Sequence, residues 1–164
     1  MIRDIPIRKV LAVAPVQWWP DRLMIGAVTQ LGAAAQGSAC DLYNNSTTGE
    51  YLTLLDFQLI PGAAGQVLCF PTVLVPIPLS GNGQNVDLLQ PQRSGFLHGA
   101  NAATTLATNY YTIEVGAGGY QWNKDYELAR IPPGYAWRFF LNLANTALTL
   151  SALWLVEPGP DKAN

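Results

Sequence analysis

The sequence predicts an all-β domain, an antiparallel β-sandwich or jelly roll that carries an extended N-terminal arm. Two observations lead there. Twelve prolines and fifteen glycines, spread from Pro6 to Pro160, cut the chain into short runs. Within those runs apolar and polar residues alternate with period two, and none sustains the 3.6-residue period of an amphipathic helix. At 164 residues the chain suits one domain with a sizeable core. Helix is expected to be at most one turn, within Asp21 to Ala35.

Residues 1–36 differ from the rest of the chain. Six charges fall in the first 22 residues, with three prolines and the pair Trp18-Trp19, ahead of the small-residue segment Gly32-Ala-Ala-Ala-Gln-Gly37. This reads as an arm and linker (1–36) joined to a sandwich (37–157), with a C-terminal tail (158–164). The arm carries Ile5, Ile7, Val10, Leu11, Val13, Val16, Trp18 and Trp19. Its indoles need a surface to pack on, either their own domain or a neighbouring subunit. Arg3, Arg8 and Lys9 ahead of Val10–Val16 imitate a signal peptide, but that run is only about seven residues long and holds Pro15. No stretch approaches the about 20 apolar residues of a spanning helix. The expectation is synthesis in a cytoplasm and no membrane partner.

Ala39–Tyr43 begins the sandwich. The adjoining stretch, Tyr43-Asn-Asn-Ser-Thr-Thr-Gly-Glu-Tyr51, holds overlapping N-x-[ST] triplets at Asn44 and Asn45. They mark either a glycosylated surface loop or a strand connection. Asn and Gly tolerate positive φ, and Ser and Thr bond to their own backbone, so a hairpin loop is the reading. The next strand, Tyr51–Ile60, turns at Pro61-Gly-Ala-Ala-Gly65 and returns as Gln66–Phe70. Thr72–Val75, Tyr110–Val115 and Tyr126–Arg130 are further strands; 80–85, 99–105 and 116–119 are loops. The last unit is a hairpin of Tyr135–Leu143 with Leu148–Val156 across Ala144-Asn-Thr-Ala147. Its core face holds Trp137, Phe139, Leu141, Leu150 and Trp154, with Phe139 set against Ala152 and Trp137 against Trp154.

Charged residues make up 12% of the chain, about half the roughly 25% usual for soluble domains. Either neighbouring subunits cover much of the surface, which is the expectation, or Asn, Gln, Ser and Thr replace charge. The net charge of −2 comes with no basic stripe, which argues against a nucleic-acid partner. Cys40 and Cys69 read as buried free thiols.

No constellation of reactive residues forms a catalytic or ligand motif. His98 is the only imidazole and the thiols are far apart in sequence, so no metal-ligand spacing exists and no cofactor is expected. Asp87, Ser94 and His98 share one stretch, but no nucleophile elbow surrounds Ser94. Asp56 and Glu114 both lie in strands, and a glycosidase would need them across a groove. Gly81-Asn-Gly83 and Gly116–Gly119 lack the Lys-Ser/Thr of a phosphate loop. Trp122, beside a Gly-rich loop, is the aromatic placed to meet a sugar.

The order Cys40-Asp-Leu-Tyr-Asn44, a Ser/Thr/Gly loop, Tyr51-Leu-Thr-Leu-Leu-Asp56, then Ile131-Pro-Pro-Gly134 and an Asn-Thr-Ala connection ending in Leu153-Trp-Leu-Val-Glu157 resembles small virion structural proteins of tailed bacteriophages. Asn45 stands where that pattern has proline. The resemblance covers roughly residues 38–157 and implies a β-sandwich with a non-enzymatic, architectural role: a head decoration or cement protein. The alternative it leaves is a tail or fibre component that binds a receptor or glycan. It also implies a homo-oligomer, commonly a trimer, with the major capsid protein or other virion proteins as partners and the virion as location.

Overall fold

Alternating burial sorts the chain into two antiparallel sheets packed face to face, in a computed structural model that describes residues 22–73, 84–85, 93–103, 111–122 and 129–159. The strands are β1 (Leu23–Gln30), β2 (Gln36–Tyr43), β3 (Tyr51–Pro61), β4 (Gly65–Val73), β5 (Gln84–Asn85), β6 (Phe96–Ala103), β7 (Tyr111–Val115), β8 (Tyr120–Trp122), β9 (Ala129–Ile131), β10 (Tyr135–Leu141) and β11 (Leu148–Glu157). The first sheet has the order β5-β1-β11-β3-β8, with β9 also paired to β3; the second runs β6-β2-β10-β4-β7. The predicted all-β sandwich is the observed fold.

The pairings nest. β4 pairs with β7, β3 with β8 and β9, β2 with β10, and β1 with β11. That is a long antiparallel ribbon rolled up so that successive strands alternate between sheets, the jelly-roll arrangement. β5 and β6 each extend a sheet, beside β1 and β2 respectively.

This wrapping corrects the expected hairpins. β10 lies between β2 and β4, whereas β11 lies between β1 and β3 in the other sheet, so Phe139 meets Cys40 and Cys69 rather than Ala152. The expected core face nonetheless holds. Phe139, Leu141, Leu150 and Trp154 are fully buried, and Trp137 packs against the same core. β3 and β4 likewise belong to different sheets, as do β2 and β3. Period-two alternation fixes which side of a strand is buried, but says nothing of which strand lies beside it.

Two boundaries also move. Leu23–Gln30, assigned from sequence to the arm and to a turn of helix, is a strand paired along its length with β11. The segment 99–105, read as a loop, begins within β6, which runs to Ala103 and pairs with β2. Space is tight there: a Cβ on Gly99 would stand 2.7 Å from the Gln30 side-chain oxygen, so the end of Gln30 would have to move. The turn at 116–119 forms as expected, closed by Gly119 N–H donating to the Gly116 carbonyl at 2.9 Å. Gly119 has φ of +89° and a Cβ on it would lie 2.7 Å from the Leu59 carbonyl oxygen, which excludes a larger residue. The arm residues Ile5, Ile7, Val10, Leu11, Val13, Val16, Trp18 and Trp19 lie outside the described residues, as does Asp87.

Candidate functional site

Among the described residues the inner faces of the two sheets are apolar. Phe139 contacts Phe57 at 4.6 Å between ring centroids, and Phe57 stacks on Trp122 at 5.7 Å and 18°. Trp122 is 2% exposed, so the aromatic assigned to a sugar platform is a core residue. Its inward turn follows from β8 pairing with β3, which sets Trp122 opposite Phe57 and puts Gln121 outside. Cys40 and Cys69 are free and buried. A disulfide is geometrically closed to them because β10 runs between, and strands two apart are separated by about 9.6 Å against a limit near 7 Å. Burial pushes both thiols up to about 12. The Cys40 thiol donates to the Leu148 carbonyl at 3.3 Å.

The segments around Asn44 and Ile131 meet at one end of the sandwich. Asn44 is fully buried, and its side-chain amide donates to the carbonyls of Glu50 at 2.8 Å and Ile131 at 2.9 Å, while its oxygen accepts from Ser46 N–H. Ser46 Oγ in turn accepts from the N–H groups of Thr48 and Glu50, and Gly49 takes φ of +81°. The stretch is a connection between sheets rather than a hairpin. A glycan on Asn44 would displace both of its amide bonds.

On the outer face of the second sheet, the register sets His98, Asp41, Arg138 and Phe70 in one row across β6, β2, β10 and β4. Arg138 grips Asp41 through two bonds of 2.8 Å, and the Asp41 side chain is entirely buried. That pairing raises the Arg138 pKa further. His98 Nδ1 stands 3.9 Å from Asp41 and makes no hydrogen bond. At that distance the carboxylate makes no hydrogen bond that would orient His98 as a base. Ser94 is engaged elsewhere, donating to Glu50 at 2.7 Å, with its backbone carbonyl accepting from the Trp154 indole N–H. Asp56 and Glu114 project from opposite outer faces, so they share no groove. Glu114 accepts from Gln66 at 2.9 Å. Among the described residues no three His, Cys, Asp or Glu side chains gather to hold a metal ion.

The open surface is the outer face of the first sheet. Two adjacent rows cross it. One is Ile25, Leu153 and Asp56; the next is Ala27, Ser151, Gln58 and Gln121. Between them runs a shallow groove of about 180 Å³, floored by Phe57 and Ala152. Ile25 is 50% exposed and Ile60 44%. Charge on the described residues of this face is confined to Asp56 and, at its lower end, the Arg130–Glu157 pair at 3.6 Å. Asp56 Oδ1 is shielded from water yet has no hydrogen-bond partner. This is the feature that reading for motifs missed. The signal lay in Leu23-Met-Ile-Gly-Ala-Val-Thr-Gln30, whose alternation marks a strand with an uncharged outer side.

A comparison with protein-family models, curated proteins and solved structures finds no match for the chain.

Proposed function

We propose that this chain is a non-enzymatic structural protein of a bacteriophage virion, a decoration or cement protein that stabilises the head through contacts among its copies, with the major capsid protein and through its N-terminal arm. The observation that supports an assembly role is the open face of the first sheet, several strands wide and nearly free of charge. Its exposed side chains, among them Ile25, Ile60, Gln58 and Gln121, are uncharged, so a partner can cover the face without burying unpaired ions. The resemblance of the segments around Asn44, Ile131 and Leu153 to phage structural proteins supplies the virion setting and the trimer. Burial of Trp122 removes the one aromatic that favoured a glycan-binding tail or fibre module.

The arm is the proposed link to the shell. Twenty extended residues reach roughly 60 Å, enough to cross onto a neighbour. Deleting residues 2–20 leaves β1 intact, including the bond from Val156 N–H to the Arg22 carbonyl. The expected result is a folded protein that no longer binds particles. Quantitative mass spectrometry of purified particles tests the head assignment. A copy number comparable to that of the major shell protein supports it, and a small fraction of that number moves the chain to the tail.

A further inference from the structure

We infer that the outer face of the first sheet is a two-fold contact with a second copy of this chain, packed sheet against sheet across the groove floored by Phe57 and Ala152. The inference does not depend on the virion reading, because the face carries the same residues in any setting.

The two rows that flank the groove complement each other under a two-fold rotation. Take the axis along the groove, perpendicular to the strands. Each residue of one row then sits over its strand neighbour, two positions along, in the other row of the second copy. Ile25 lies over Ala27, Leu153 over Ser151, and Asp56 over Gln58. Large meets small on β1 and on β11, which lets side chains interdigitate at normal sheet spacing. On β3 a carboxylate meets a side-chain amide, and the rotation makes that contact twice. Asp56 is half-buried, and the part of its carboxylate that remains open to the groove is what the Gln58 amide of the second copy can reach.

Size favours the same occupant. The face is built on β1, β11 and β3, eight to eleven residues each, with the two- and three-residue β5, β8 and β9 beside them, and covers at most roughly 600 Å² per copy. Two fully overlapping copies would bury up to about 1,200 Å², against the roughly 1,000 Å² expected of a specific interface. Charge is no obstacle either, since Gln58 and Gln121 beside Asp56 are both exposed and uncharged, and a second copy sets no like charge over them.

The test uses the purified full-length chain, with mass read by native mass spectrometry and analytical ultracentrifugation. The expected species has an even number of copies: a dimer, or a hexamer in which this contact joins two trimers. Gln58→Asp sets carboxylate over carboxylate at two places and should weaken association by roughly tenfold or more. Adding Asp56→Gln to it exchanges the two groups, so that the rotation again sets carboxylate over amide, and association should recover. Leu153→Asp should give half the mass. Thr112→Asp, on the exposed outer face of the second sheet, should leave the mass unchanged. A monomeric or a trimeric wild-type chain at micromolar concentration overturns the inference. So does a Gln58→Asp defect that the exchange fails to repair, or an oligomer lost on deleting residues 2–20 yet indifferent to Gln58→Asp. None of these solution outcomes depends on whether particles bind the chain, so this inference and the virion reading fail separately.

Discussion

Each outer face of the sandwich places an aspartate at mid-strand, and the two are treated oppositely. Asp41 on β2 is fully buried and held by both arms of Arg138, within a face where Phe140 and Leu68 are also buried. Asp56 on β3 stands in an open groove with one oxygen lacking any donor. Identical side chains are thus met differently, and neighbours rather than residue type decide how. A carboxylate whose pairing is complete within the chain belongs to the fold. One whose pairing is incomplete, on a face whose other described charges are the Arg130–Glu157 pair at its end, is the group that the proposed contact with a second copy would use. Experiments on either face can break this contrast.

The largest effect is expected at the paired aspartate. Asp41→Ala leaves Arg138 with no anion in a site where its side chain is 17% exposed. Removing one member of a buried pair costs about 3–5 kcal/mol, readable as a lower urea midpoint. Replacing both, as Asp41→Leu with Arg138→Met, should recover most of that loss, because no charge is then stranded. A small loss for Asp41→Ala alone would mean that water reaches the pair, and the contrast between faces would collapse.

Next comes Asn44, which ties the end of β2 to the strand connections that support both faces. Asn44→Ala leaves the carbonyl of Ile131 without this donor in a buried place and that of Glu50 in a partly buried one. An expected loss of about 1–3 kcal/mol follows, checked by the same denaturation. Between the faces lie the two thiols, each pushed up to about 12 by burial. Their folded pKa exceeds the unfolded value of about 8.5, so the stabilisation is complete below that pH. Above it the unfolded chain loses protons that the folded chain keeps, and stability falls by at most about 1.4 kcal/mol per pH unit for each thiol until about pH 12. Cys40→Ala with Cys69→Ala should remove that part of the alkaline slope.

How much of this was legible differs by level. Fold class, strand faces and the core residues Phe139, Leu141, Leu150 and Trp154 could be read, because period-two alternation reports burial directly. Neighbours could not. Tyr135–Leu141 and Leu148–Glu157 look like the arms of a hairpin, but the six residues between them cross from one sheet to the other. Local chemistry at that crossing, such as Asn145 at φ of +59°, serves a hairpin turn and a sheet-to-sheet connection equally well. Trp122 misled for a related reason: loop-like residues around it hid a three-residue strand that turns it inward. The Asp41–Arg138 pair left a trace in sequence, as single opposite charges each set inside an otherwise apolar strand. Which acid meets which base waited on register.

The smallest expected effect on stability is the sharpest test of the contrast between the two aspartates. Asp56→Asn is the same change of charge that would be severe at Asp41, made on the open face. Asp56 accepts no bond at Oδ1 and keeps partial access to solvent, so the single folded chain has little to lose. The change should stay within about 0.5 kcal/mol, the range of surface substitutions far from any network. It could even stabilise slightly, since a neutral amide costs less to shield than a carboxylate oxygen. Measured at a dilution that keeps the chain monomeric, a loss above about 1 kcal/mol would show that Asp56 is paired within its own chain. The two aspartates would then be alike, and nothing would set one of them aside for a partner.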